Sequence, residues 1–317
     1  PLLDVLAGLL YCGAGVGIAL LRRLLPWIVS GAPEVALTRS EWPWLAGAIG
    51  AGGIVGPLLL MAGLTHTDAA TASLLLTFEG AATALMAWFI FHENFDRRIA
   101  LGICFLVGGA AILSWTGAPT FESFLGPVAI VGACVAWGVD NNLTRKVSLA
   151  DPLQIVEFKG LIAGPFNLLL GISLGAPLPG MTVIPIAGLV GFVGYGVSLA
   201  LFVMALRDLG TARTGAYFST APFIGSTAAV VALGAPVTPQ LLIAGLLMAV
   251  GVWLHLSERH EHEHSHEAMA HSHPHVHDQH HRHAHRPGDP SGEPHTHFHE
   301  HKPMRHSHPH VPDMHHT

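Results

Sequence analysis

Nine apolar stretches, each about as long as a membrane-spanning helix, alternate with short polar links along residues 1–257. A helix needs roughly 20 apolar residues to cross a bilayer. The stretches also contain many Gly and some Pro residues, which membrane helices tolerate. The pattern predicts an all-α integral membrane protein with spans at 4–21, 42–63, 69–91, 99–116, 124–143, 153–174, 182–205, 212–234 and 240–257.

Basic residues occur in every second link between these spans. The first link contains Arg22 and Arg39, whereas the next, at 64–68, has no Lys or Arg. Links with Lys or Arg stay on the cytoplasmic side. We therefore expect residue 1 to lie outside and the C-terminal tail to be cytoplasmic, together with the links that hold Arg22, Arg39, Arg97, Arg145, Arg207 and Arg259.

The second half of the apolar region resembles the first at a constant interval of 143 residues. Thr77 aligns with Thr220, and Gly108 with Gly251, without a gap. Such self-similarity indicates two copies of one helical unit.

The predicted orientation makes these two copies run in opposite directions across the bilayer. The second copy, 124–257, has five spans, and the first, 1–116, has four, because the partner of span 124–143 would precede residue 1. We expect a ten-span parent of two inverted five-helix repeats, with nine spans present here. Inverted repeats are typical of secondary transporters, which bind substrate near mid-bilayer.

Composition supports a membrane protein and argues against other classes. Charged residues make up 11% of the chain and hydrophobic ones 50%, whereas soluble domains have about 25% charged residues. A net charge of −6 offers no basic surface for nucleic acid. The apolar region, residues 1–257, has neither a GxxxxGK[ST] motif nor an HExxH motif, so ATP-driven transport and an enzyme are both unexpected.

Several short motifs add to this interpretation: AWG at 136–138, DNNLTRK at 140–146, and LLLTFE at 74–79 followed by HE at 92–93. With the inverted repeats, they resemble the EamA-like branch of the drug/metabolite transporter superfamily over about residues 4–257. The resemblance implies export or exchange of small metabolites, such as amino acids or related compounds, without ATP hydrolysis. The second copy has AP at 235–236 in place of HE, so a symmetric site is not expected.

Glu79 is the candidate with the sharpest signal, since it falls near the middle of span 69–91. An ionisable group at that depth is costly and indicates function. It is interpreted as a proton-coupling group or as a contact for a cationic substrate group. Alternatively, it is a hydrogen-bonded or protonated side chain that holds two helices together. Thr77, two residues away, is a second candidate.

Five other polar residues are candidates for the substrate or proton pathway. Asp140, Asn141 and Asn142 end span 124–143, where they either line the cavity or cap the helix. Tyr217 and Thr220 lie in span 212–234, at a position suited to substrate contact.

Two charged residues near the start of span 153–174, Glu157 and Lys159, are assigned a structural role. Long side chains near helix ends reach toward the interface, and the two residues are close enough in sequence to form a local surface pair.

The tail, 258–317, contains 21 of the 24 histidines. Its scarcity of apolar residues predicts disorder. Its imidazoles and carboxylates are ligands for Zn²⁺, Ni²⁺, Co²⁺ or Cu²⁺, so it is interpreted as a metal buffer or sensor, or else as a low-complexity tract without a cellular role. The candidate ligands are His260, His262, His264, His266, His271, His273, His275, His277, His280, His281, His283, His285, His295, His297, His299, His301, His306, His308 and His310.

Together these features predict a secondary transporter of small organic metabolites in the bacterial inner membrane, with a metal-binding regulatory tail and no required cofactor. Its partners would be the lipid bilayer, a small-molecule substrate and divalent metal ions at the tail. The alternatives are a divalent transition-metal exporter fed by the tail and a membrane-anchored metal-storage protein. A dehydrated metal path would need several ligands at mid-bilayer, and Glu79 is the single deep charged residue, which favours the metabolite transporter.

Overall fold

Backbone groups within a bilayer must bond internally, and the apolar part of this chain accordingly forms helices. The computed structural model describes residues 2–24, 35–91, 97–113, 121–209, 211–257, 263–266, 269–275, 295–301 and 304–307. The helices are α1 Leu2–Leu24, α2 Trp42–Ala48, α3 Gly56–Leu64, α4 Ala69–Leu75, α5 Phe78–Phe91, α6 Arg97–Leu113, α7 Phe121–Arg145, α8 Pro152–Ser173, α9 Val183–Gly191, α10 Ser198–Leu209, α11 Thr211–Phe218, α12 Ala221–Leu233 and α13 Pro239–Leu256. Two wider π-helical segments, π1 Ile49–Val55 and π2 Phe192–Val197, join α2 to α3 and α9 to α10.

The described helices confirm the prediction of an all-α integral membrane protein. Three of the nine predicted spans fall on shorter helices, namely α6 with its 17 residues, the α11–α12 pair, and α13. Among the described residues, six stretches are long and apolar enough to cross a membrane: Asp4–Leu24, Trp42–Leu64, Ala69–Ile90, Phe124–Arg145, Pro152–Ser173 and Val183–Leu209.

Local backbone features recur at the interval that relates the two copies in sequence. The break between α4 and α5 falls at Leu76 and Thr77, and the break between α11 and α12 falls at Ser219 and Thr220, 143 residues later. The segment π1 begins at Ile49 and π2 begins 143 residues later. The repeat is therefore present in the positions of the helix breaks and π-helical segments as well as in residue types.

The chain forms two compact units, each discontinuous in sequence. The first includes α1, α8, α9, π2 and α10, and the second includes π1, α3 to α6, most of α7, and α11 to α13. The divisions fall within α2, after Ala46, and within α7, after Leu143.

In the first unit, α1 lies along α8 at close range, since a Cβ atom at Gly15 would be 2.6 Å from the backbone nitrogen of Leu161. Ion pairs reinforce this contact. Arg22 on α1 donates to Asp151 Oδ2 at 2.8 Å and also to Glu157 Oε2. Asp151 in turn caps α8 by accepting from the backbone nitrogen of Leu153 at 2.9 Å.

These contacts correct the assignment of Glu157 and Lys159 to the surface. Glu157 is 7% exposed and Lys159 is 3% exposed. Glu157 pairs with Arg22 and Arg23 of α1, and Lys159 Nζ donates to Thr144 Oγ1 at 2.7 Å. Their partners are distant in sequence, so the local pattern around span 153–174 gave no sign of them.

In the second unit, equivalent helices of the two copies pack antiparallel, as inverted copies require. Ser73 on α4 lies against Gly225 on α12, whereas Gly80 on α5 lies against Ser219, just before α12. Likewise Gly109 on α6 contacts Met248 on α13.

The tail contains four short strands: β1 Glu263–His266, β2 Met269–His275, β3 His295–His301 and β4 Met304–Ser307. Antiparallel pairing joins β1 to β4 and β2 to β3. The rest of the tail, for which the sequence predicts disorder, lies outside the described residues. In β2 and β3 histidine alternates with other residues, which is the two-residue period of a strand.

Candidate functional site

The candidate site begins at the break in the membrane helix formed by α4 and α5. Thr77 donates its backbone N–H to Leu74 O at 3.0 Å, and its hydroxyl donates to the same oxygen at 2.7 Å. The regular i−4 pattern stops here, and Glu79 therefore lies in the first turn of α5. The first turn of a helix favours an acidic side chain, because unpaired N–H groups carry partial positive charge there.

The second wall of the site is α7, which the irregular segment π1 places. Within π1 the N–H of Gly56 donates to Ala51 O, five residues back. Trp137 of α7 donates its Nε1–H to Gly52 O in this segment at 3.0 Å. Asp140 lies one turn beyond Trp137 and packs directly on Gly52, since a Cβ atom there would be 2.6 Å from Asp140 Cβ.

Asn141 links α7 to the broken helix. Its Nδ2 donates to Glu79 Oε1 at 3.0 Å and to Thr83 Oγ1 at 3.0 Å. Asn142 follows with Nδ2 donating to Thr83 O at 3.1 Å and to Gly138 O at 2.8 Å. Asn142 is 2% exposed, so it forms a buried hydrogen-bond bridge between α7 and α5.

The carboxyl groups of Glu79 and Asp140 lie near this bridge. Glu79 is half-buried and Asp140 is buried, and the two interact electrostatically. Asn141 contributes a hydrogen-bond donor without charge. The cluster of Glu79, Asp140, Asn141, Asn142 and Thr83, named here the Glu79 cluster, can therefore hold a proton or a small cationic group.

The structure separates the predicted site residues into two sets. It brings Glu79, Asp140, Asn141 and Asn142 together. Thr77 and Thr220 are bonded to backbone instead, and the Thr220 hydroxyl donates to Tyr217 O at 2.7 Å, the same i−3 bond that Thr77 makes in the first copy. The Tyr217 side chain is 57% exposed.

Sequence reasoning missed three residues that build the site. Trp137 served only as a family motif, and Thr83 was not among the predicted site residues, yet both fix α7 in place. Gly80 is required beside Glu79 because a side chain there would meet Ser219 Oγ.

Part of the predicted tail ligand set falls on strand residues. Of the predicted ligands, His260, His262, His277, His280, His281, His283, His285, His308 and His310 lie outside the described residues. Among residues whose side chains the structure describes, no three His, Cys, Asp or Glu side chains converge on a metal position.

The fold and the Glu79 cluster define an integral membrane protein with a polar site at a broken helix. Residues 5–115 and 124–257 match the model of the EamA-like transporter family. The chain therefore belongs to the EamA-like transporter family, as its sequence motifs predict.

Known proteins similar to this chain include other transporters. An uncharacterized transporter of Methanothermobacter thermautotrophicus is 30% identical over 212 residues, which are 63% of this chain and 60% of that protein. The uncharacterized transporter YyaM of Bacillus subtilis is 23% identical over 61% of this chain and 66% of YyaM. The chain thus matches less than two thirds of the length of either relative.

A smaller relative matches part of the chain. It is the probable 4-amino-4-deoxy-L-arabinose-phosphoundecaprenol flippase subunit ArnE of Pseudomonas fluorescens, 34% identical over 87 residues, or 26% of this chain and 73% of ArnE. A crystal structure of a protein with 18% sequence identity shares the fold, with a TM-score of 0.60 over 80% of this chain and 87% of that chain.

Proposed function

We propose that this protein is a secondary transporter that exports small organic metabolites, such as amino acids or related compounds, and that the Glu79 cluster couples export to a proton. The observation that carries this proposal is the hydrogen bond from Asn141 to Glu79 beside the break between α4 and α5. Broken membrane helices form the ion and substrate sites of many secondary transporters.

The coupling role follows from the cost of charge in a membrane. A carboxylate within the bilayer is expensive unless a proton or a cation neutralises it. Asn141 supplies a hydrogen bond but no positive charge. A proton and the ammonium group of a substrate can each neutralise the Glu79 carboxylate, so binding of one displaces the other. This competition couples proton movement to substrate movement.

The comparisons are consistent with a substrate that has an amino group. The ArnE relative is named for an amino sugar, and amino acids share that group. The protein would lie in the bacterial inner membrane with its tail in the cytoplasm. There the tail would bind Zn²⁺, Ni²⁺, Co²⁺ or Cu²⁺ and regulate transport.

The test is export from cells that express the protein, across a panel of amino-acid analogues and metal salts and a range of external pH. Glu79→Gln removes the titratable group at nearly constant size and is expected to abolish proton-dependent export. The matched control is Glu41→Gln, which changes a partly exposed acid of the polar region before α2. Deletion of residues 260–317 should leave the export of organic compounds intact and remove its response to metal.

Two results would contradict the proposal. Export by Glu79→Gln with unchanged pH dependence would remove Glu79 from the coupling step. Metal resistance that requires both Glu79 and the tail would identify a metal exporter instead.

A further inference from the structure

The register of the β2–β3 pair places histidines and Met269 on one face of the ribbon and every other residue on the opposite face. The paired positions are Met269 with His301, His271 with His299, His273 with His297, and His275 with His295. The intervening pairs are Ala270 with Glu300, Ser272 with Phe298, and Pro274 with Thr296. Directly opposed residues of an antiparallel pair share one face, and successive residues alternate between faces. All seven histidines of these two strands therefore belong to one face, and none to the other.

Spacing on such a face suits a transition metal. Cβ atoms of directly opposed residues lie about 5 Å apart, and every second residue along a strand is about 6.6 Å away. The adjacent pairs His271–His299 and His273–His297 thus place four histidines next to one another on this face. Imidazole nitrogen is a preferred ligand of Zn²⁺, Cu²⁺ and Ni²⁺.

We infer that the histidine face of the β2–β3 ribbon is a defined transition-metal site, centred on the adjacent pairs His271–His299 and His273–His297. The inference deepens the proposed metal-binding role of the tail and rests on it. A scattered chelator would depend on the number of histidines, whereas this site depends on their register. Metal bound there would link β2 to β3 and so stabilise their pairing.

A swap that conserves composition tests this dependence. In the double variant His271→Ser with Ser272→His, the tail keeps its histidine count but one histidine moves to the other face of the ribbon. The control variant exchanges His316 with Thr317, which lie outside both strands and include none of the candidate ligands. Purified full-length protein in detergent is titrated with Ni²⁺ by calorimetry, and amide exchange of residues 269–275 and 295–301 is measured with and without metal.

The expected result is a loss of at least about tenfold in the tightest Ni²⁺ affinity for the face swap, since even changes outside a metal's direct ligands cost that much. The control should bind as the unmodified chain does, and Ni²⁺ should slow amide exchange in both strands of the latter. Equal affinity for the face swap and the unmodified chain would overturn the register-dependent site while leaving a metal-binding tail. An unmodified chain that binds no Ni²⁺ would overturn both, and neither result affects transport through the Glu79 cluster.

Discussion

Replacement of Gly52 by alanine should separate π1 from α7 and disable the Glu79 cluster. A Cβ atom at position 52 would lie 2.6 Å from Asp140 Cβ, whereas ordinary contact begins at 3.4 Å. Rotation of the Asp140 carboxylate relieves its own clash but leaves the Cβ contact, so the helices have to move apart by about 0.8 Å. The hydrogen bond from Trp137 to Gly52 O, at 3.0 Å, would then exceed its limit of about 3.5 Å.

The expected cost combines overpacking with the lost hydrogen bond. Overpacking of a filled contact costs about 1–3 kcal/mol, and a typical hydrogen bond contributes about 0.5–1.5 kcal/mol. The Gly52→Ala variant should therefore unfold at a lower temperature in detergent. It should also lose proton-dependent export, because Asn141 moves with α7 relative to Glu79.

The chain supplies a matched control in the same π-helical segment. A Cβ atom at Gly50 would have no neighbour within 4 Å, so Gly50→Ala should be neutral or should stabilise by about 0.5–1 kcal/mol through reduced backbone freedom. A compensating change sharpens the test. Gly52→Ala with Asp140→Gly removes the clashing Cβ and should recover stability but not export, whereas Asp140→Ala retains that atom and should recover neither. Equal stability and export for Gly52→Ala and Gly50→Ala would refute the reasoning.

Three other changes give measurable outcomes. Arg22→Gln should lower the free energy of unfolding by about 1–3 kcal/mol in chemical denaturation. This is less than for a fully buried pair, because Arg22 keeps contact with water. An unchanged free energy of unfolding would show that the pair with Glu157 is dispensable. Asn142→Leu should cost about 1–3 kcal/mol in the same assay, since two buried hydrogen bonds to backbone carbonyls are lost, and an unchanged midpoint would contradict those bonds. Burial, and secondarily Arg145, lowers the pKa of Lys146, so more of its amine is neutral at pH 8. A membrane-impermeant amine reagent should therefore label it readily from the cytoplasmic side while buried Lys159 stays unlabelled, and labelling from outside would refute the orientation.

Hydropathy was sufficient to predict the helices, because each depends on the local composition of one span. The cost of a charge in lipid makes one acidic residue in span 69–91 conspicuous. Asn141 and Asp140 were predictable for the same reason, as polar residues at the end of an apolar run.

The partners of these residues depend on packing, which no local pattern records. The hydrogen bond from Trp137 to Gly52 joins residues 85 positions apart and depends on the wider turn of π1. The bond from Arg22 to Glu157 spans 135 positions. In the sequence, Trp137 appears only as part of a family motif and Arg22 only as a basic residue of a link. Their structural roles arise only when two helices pack together.

The two copies differ in a way that bears on the direction of transport. Thr77 and Thr220 make the same i−3 bond at equivalent breaks, so the broken helix is a property of the repeated backbone. Glu79, however, corresponds to Pro222 in the second copy, which carries neither charge nor a backbone donor. An inverted pair with matching chemistry would present equivalent sites to both sides of the membrane. If Glu79 has the proposed coupling role, the charge at one break and not at its equivalent makes those sides unequal, and a proton that neutralises Glu79 would act on one half of a transport cycle.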